Sequence, residues 1–137
     1  MMNDGLKKEL LNLCGGSVEI RANDIPDEFG QASISILFPN DITLNACYWR
    51  MIKVNNTVIS SFDHKQIYGL DEPIDAKEML IKILDNQILD KAELDRKSGD
   101  LHFLFSNGTS FQVFGFSAYE VWELHYSDGS TDYSNHL

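Results

Sequence analysis

The sequence predicts an α+β domain built mainly from antiparallel β hairpins, in two diverged halves that share one core and carry about one helix each. Three observations predict it. Apolar residues alternate through Ile34–Phe38 and again through Leu101–Phe105, and each run is followed by a turn and a second alternating run. The order of hairpin, tryptophan strand and second turn occurs twice. A leucine-rich helical segment precedes each occurrence.

In the first half, Ile34, Ile36 and Phe38 form one apolar face, and Ile42, Leu44, Ala46 and Tyr48 continue it. A three-residue loop, Pro39 to Asp41, sets Phe38 opposite Ile42 and Ile36 opposite Leu44. A two-residue loop would set Phe38 against Thr43 and scramble the faces. Pro39 presets the first φ of a type I turn, and Asp41 tolerates the left-handed position that closes it.

In the second half, Leu101, Phe103 and Phe105 alternate, Ser106-Asn107-Gly108 turns, and Thr109, Phe111 and Val113 continue the face. Gly108 takes the left-handed position. The tryptophan strands follow: Trp49 to Met51 runs into the turn Val54–Thr57, and Trp122 to Leu124 into the turn Ser127–Ser130. Upstream lie the helical segments Leu6–Leu13 and Ala76–Leu84, each leading to a strand that starts near Val18 or Ile88. The halves are offset by 67 residues at Phe38 and Phe105 and by 73 at Trp49 and Trp122. So small a difference argues for duplication with minor loop changes, with repeats at about 6–62 and 76–130 inside one domain spanning 1–137.

The second helix carries its own start signal. Asp75 can cap it, Glu78 stands three residues later as in a capping box, and Met79, Leu80, Ile83 and Leu84 form an apolar stripe. Ser60 to Pro73 reads as an irregular loop linking the copies, too short and, at Ile67 to Leu70, too apolar for a flexible tether, so the copies should share one core. His102, Leu104, Ser110, Gln112, Phe114 and Phe116 occupy the other face of the second hairpin. That is too many apolar groups for a solvated face, so cover by the helix, by the other half's sheet or by a partner is expected, with intramolecular cover favoured.

Hydrophobic residues make up 43% and aromatics 11%, enough to form a core without disulfides. Cys14 and Cys47 show no C-x-x-C spacing and read as packed thiols of a reducing compartment. With no apolar stretch near Met1 long enough for a signal peptide or span, a cytoplasmic location is expected. Twenty-one acids against eleven bases give a net charge of −10, and no Lys or Arg occurs from Ser98 to Leu137. Such a field repels nucleic acid and anionic membrane; the charge by itself reads first as a solubility device, and its sharper reading is attraction of a basic protein.

Few residues offer chemistry. Asp63-His64 beside Ser60 and Ser61 has the residue types of a hydrolase, but triad members converge from separate elements, and a polar loop explains the group better. Glu123 and His125 share one face of a strand without the third and fourth ligands a metal needs. Gly15-Gly16 is a helix stop rather than a phosphate loop, and no Lys or Arg interleaves the aromatics from Phe103 to Tyr126. No catalytic residue, metal or cofactor is assigned, and the balance leans away from an enzyme. The first functional reading is a protein-interaction role in which Glu120, Glu123, Asp128 and Asp132 bind a basic partner. The alternative is small-molecule binding or catalysis in a cleft between the halves, using His64, His102 or His125.

The second half reads DLHFLFSNG over 100–108 and YEVWEL over 119–124. In these motifs it resembles a set of small uncharacterised bacterial proteins with such a hairpin and a closing YExWEL strand, some of them immunity-protein-like. The likeness is clear over about Leu84–Gly129 and weaker over Ala32–Ser61, where Tyr48-Trp49-Arg50 and Ile59-Ser60-Ser61 match a WR…SS segment. It implies the two-part organisation and, through the immunity-like members, a binder that neutralises a toxin. No catalytic residues come with the motif.

Overall fold

Period-two alternation in the sequence becomes pleat in a computed structural model, which describes residues 10–22, 32–95, 97–115 and 121–133. The strands are β1 (Glu19–Ala22), β2 (Ile34–Phe38), β3 (Ile42–Ala46), β4 (Trp49–Ile52) and β5 (Val58–Ser60). A 3-10 turn (Ser61–Asp63) and helix α1 (Ala76–Leu84) lead to β6 (Leu89–Leu94), β7 (Leu101–Phe105), β8 (Ser110–Val113), β9 (Trp122–His125) and β10 (Thr131–Tyr133). The architecture is α+β with antiparallel strands in two sheets, ordered β1-β2-β3-β9-β10 and β5-β4-β8-β7-β6. Each sheet therefore takes three consecutive strands from one half of the chain and a closing hairpin from the other.

Both long hairpins use the three-residue loops expected from their faces. Phe38 pairs with Ile42 and Ile36 with Leu44. Phe103 pairs with Phe111, and Phe105 N donates to Thr109 O at 2.9 Å across Ser106–Gly108. Gly108 has φ +84 as its turn requires. The first loop departs from the type I expectation, because Asn40 (φ 66) as well as Asp41 (φ 59) is left-handed. A type I turn needs negative φ at both central positions.

The expected run from Ile42 to Tyr48 stops at Ala46, and Cys47-Tyr48 bends the chain from one sheet to the other. There the two crossovers bond to each other: Cys47 N donates to Val121 O at 3.0 Å and Phe114 N to Tyr48 O at 2.9 Å. Beyond the bend, β9 extends the first sheet by pairing Leu124 with Leu44 and Trp122 with Ala46. Likewise β4 extends the second by pairing Met51 with Phe111 and Trp49 with Val113. Both tryptophans are buried, and each ring nitrogen is satisfied by a carbonyl two residues before a hairpin. Trp49 Nε1 donates to Ala32 O at 2.6 Å, and Trp122 Nε1 to Gly99 O at 2.7 Å. Gly115 closes tightly over the same turn, since a Cβ there would lie 2.7 Å from Gly99 O.

Asp75 caps α1 by accepting from Glu78 N at 3.0 Å. The buried stripe is Ala76, Leu80 and Leu84, not the expected run through Met79, which is 36% exposed. The helix packs against β1 and touches β5, the outer strands of different sheets, so its inward face narrows to the i, i+4, i+8 line. In the first half, residues 10–12 are helical and Leu13 turns, with Leu10 and Leu13 buried; residues 6–9 of that expected helix lie outside the described residues.

The inner faces meet with the Phe38 and Phe103 rings 5.8 Å apart, and the buried apolar side chains of both sheets form one cluster. The outer face of the second sheet is not covered as expected. His102 is exposed, and Leu104, Ser110, Gln112 and Phe114 are half-buried; Phe116 lies outside the described residues. Lateral contacts do the covering instead: the Arg50 guanidinium lies 5.2 Å from the Phe114 ring centre and donates to Gln112 Oε1. Ile67, Tyr68 and Leu70 in the connection between β5 and α1 are more than half exposed. We expect Trp49→Phe and Trp122→Phe to lower unfolding free energy comparably, by about 2–4 kcal/mol each, through a lost buried hydrogen bond and lost ring volume. Urea titration checks this, and a loss confined to one tryptophan would contradict their matched roles.

Candidate functional site

The hairpin of β9 and β10 holds three of the four acids singled out in the sequence; Glu120 lies outside the described residues. Alternation turns Leu124 inward and leaves Glu123 and His125 on the outer face, half-buried. Glu123 pairs across the ladders with Asn45 on β3 and Tyr133 on β10, so neither flanking strand sets a lysine or arginine directly beside it. Its carboxylate instead meets His125, with Nε2 and Oε2 3.0 Å apart. Asp128 sits exposed at the turn, where Asp128 Oδ1 accepts from Ser130 Oγ at 2.5 Å and from Ser130 N at 2.8 Å. The Ser130 hydroxyl, followed by its amide, holds the Asp128 carboxyl below the usual aspartate range.

Asp132 behaves differently. It pairs with Leu124 on the inward side of β10, is 7% exposed, and accepts from Tyr126 Oη at 2.6 Å. The carboxylate is thus engaged within its own hairpin. Turn register carried this signal: a three-residue turn at 127–129 sets Asp132 opposite the inward Leu124. The solvent-facing acids of the hairpin are Glu123 and Asp128.

His125 Nδ1 also lies 3.0 Å from Thr131 Oγ1, so hydroxyl, imidazole and carboxylate stand in line on the outer face of the first sheet. Such a line has the groups of a nucleophile, a base and an orienting acid. Here all three are cross-strand or next-but-one neighbours on an open sheet face, the ordinary setting of a polar ladder. The residues of the alternative reading do not converge. His64 is buried at the start of α1, where its Nδ1 accepts from Ala76 N at 3.1 Å. His102 is on the outer face of the second sheet and His125 on that of the first. Ser60 and Asp63 form a capping box, and Ser61 Oγ bonds both backbone groups of Trp49.

Beside His102, Lys91, Glu93, Leu104, Ser110 and Gln112 line a shallow cleft of about 160 Å³, and Leu94 and Asp95 border a neighbouring one of about 270 Å³. Each is smaller than the roughly 300–1,000 Å³ usual for an organic ligand. Among the described residues no three of His, Cys, Asp and Glu converge in a metal-binding arrangement, and no helix is long and apolar enough to cross a membrane. No family model, curated protein or solved structure matches the chain.

The lowered Asp128 carboxyl makes a pH prediction whose sign is fixed. The bonds it accepts contribute fully above the ordinary aspartate value and are lost as pH falls through the lower folded value. A carboxyl-carbon NMR titration should place the Asp128 midpoint below that of an unstructured aspartate, and Ser130→Ala should move it upward. A midpoint indifferent to Ser130→Ala would show that the hydroxyl is not the cause.

Proposed function

We propose that the chain is a noncatalytic protein-interaction module that binds a basic protein through the outer surface of the β9–β10 hairpin. The carrying observation is the setting of Glu123, flanked by Asn45 and Tyr133 in a segment whose sequence contains no Lys or Arg from Ser98 onward. Glu123, whose carboxylate meets the His125 imidazole of its own strand, and Asp128 then present negative charge that no lysine or arginine on β3 or β10 cancels. A field of that sign raises the rate at which a cationic surface arrives, and disfavours nucleic acid and anionic lipid. The likeness of the second hairpin and the YExWEL strand to immunity-like bacterial proteins favours a toxin as the partner. Cys14 and Cys47, neither in a disulfide, fit a cytoplasmic setting.

We read the framework as two diverged copies, about 6–62 and 76–130, around a shared core. Matched strand pairings, matched tryptophan-to-carbonyl bonds and the exchanged hairpins support common origin, because independent strands have no reason to repeat that sequence of contacts.

The test is binding kinetics with the purified product of a neighbouring toxin-like gene. Glu123→Gln and Asp128→Asn should each lower the association rate several-fold, with a smaller change in dissociation rate, and raised salt should do the same once charges beyond about 10 Å are screened. Binding indifferent to salt and to both substitutions would leave the acids as a solubility device and remove the basis for this reading.

A further inference from the structure

The connection between β5 and α1 is built to hold its side chains outward. Ser60 Oγ accepts from Phe62 N at 3.2 Å, while Asp63 Oδ2 accepts from Ser60 N at 2.8 Å. Farther along, Lys65 N donates to Ile74 O at 2.7 Å and Ile74 N to Gln66 O at 2.9 Å, which closes a neck under residues 67–73. Buried His64 ties the same neck to the first amide of α1. Lys65 (φ 67) and Tyr68 (φ 48) are held in left-handed conformations that cost a residue with a side chain about 1–2 kcal/mol.

On this fixed support, four large side chains face solvent within nine residues: Phe62, Ile67, Tyr68 and Leu70 are 51%, 52%, 65% and 55% exposed. A half-exposed Phe62 stacks on Tyr48 with ring centres 5.5 Å apart, and Tyr68 Oη donates to Asp63 Oδ1 at 3.0 Å. From Phe62 to Asp75 the sequence carries Asp63, Asp71, Glu72 and Asp75 against the single cation Lys65, and Asp71 and Glu72 are exposed. Apolar anchors rimmed by charge, on a support already ordered, are what an interface hot spot requires.

We infer that this 62–72 loop is a second docking surface, which takes a protein segment presenting arginine among apolar side chains. Arginine is the cation that satisfies both features at once: its planar guanidinium stacks on aromatic faces and pairs with carboxylates. The chain already uses the first of these contacts between Arg50 and Phe114. Net charge makes lipid a poor occupant, since −10 on the protein opposes an anionic bilayer. The inference rests on the reading of the chain as a binder of a basic protein, and places an apolar contact at a site separate from Glu123 and Asp128.

The probe is a synthetic amidated peptide of alternating arginine and leucine, titrated into the full ¹⁵N-labelled chain, with an alternating glutamate–leucine peptide as control. Amide shifts should gather at 62–72 and Tyr48 with the arginine peptide alone. Phe62→Ser and Leu70→Ser should each raise Kd roughly tenfold or more; Leu70→Ser should do so without a change in Tm, because its side chain is more than half exposed, and Phe62→Ser with only a small loss from the Tyr48 stack. Asp71→Asn with Glu72→Gln should raise Kd about threefold and flatten its salt dependence. Glu123→Gln should leave it unchanged. Shifts gathered on β9 and β10 instead would overturn this inference while sparing the basic-partner reading; no response at either surface would remove both. Equal shifts with phosphatidylcholine vesicles would assign the loop to lipid and also overturn it.

Discussion

The backbone ladder between β3 and β9, with its counterpart between β8 and β4, is the interaction on which the other features depend. Without β9, the free edge of β3 would expose a row of unpaired N–H and C=O groups, and β8 would do the same without β4. The tryptophan strands are therefore not appendages of their own halves. Each enters the opposite sheet, buries its indole there, and hooks the ring nitrogen to the backbone ahead of a hairpin. Neither half holds a complete sheet, so the ordering of one depends on the other, and most of the defining contacts are distant in sequence. Topology of that kind slows folding, because loop closure precedes the contacts that reward it.

A second meeting of the halves lies at Ser17 and Ile88, which form a bridge to each other. The surrounding bonds come in matched pairs: Val18 N donates to Gln87 O and Leu89 N to Gly16 O, while Gly15 N donates to Leu89 O and Asn86 N to Val18 O. Gly15 and Asn86 share a left-handed backbone just after the two helical segments. Inward residues of the central strands follow one plan, as the pairings Leu44–Leu124 and Phe111–Met51 illustrate, and the departure is at the edge, where β10 has Asp132 and β5 has Ile59. Outward residues at matching ladder positions do not follow one plan. Glu19 and Arg21 on β1 stand where β6 has Lys91 and Glu93, and Glu123 stands where β4 has Arg50. Burial constrains one side of a strand, and the solvated side is free to acquire different charge.

The two proposed surfaces would engage a basic partner in different physical ways. Glu123 and Asp128 would act at range and govern encounter, whereas Phe62, Ile67, Tyr68 and Leu70 would act at contact and govern residence. Neither surface needs an enclosed pocket, consistent with clefts on the second sheet that are small and open to solvent.

Local structure follows from neighbouring residues: α1 from Ala76 to Leu84 behind Asp75, the hairpins across Pro39–Asp41 and Ser106–Gly108, and the strands that begin at Trp49 and Trp122. These were legible because side-chain period and turn chemistry act over a few neighbouring residues. Asp132 was half legible, since the turn register that buries it can be counted from Ser127 to Gly129, yet its charge alone points outward. Met79, Phe62 and Tyr68 were not legible as exposed, because an apolar side chain is equally compatible with a core and with a docking surface until its neighbours are placed. Only the tertiary structure decided which sheet each closing hairpin joins. A strand that follows a bend such as Cys47-Tyr48 has the same alternation whichever edge receives it, and the choice is made by the partner strand that lacks a neighbour.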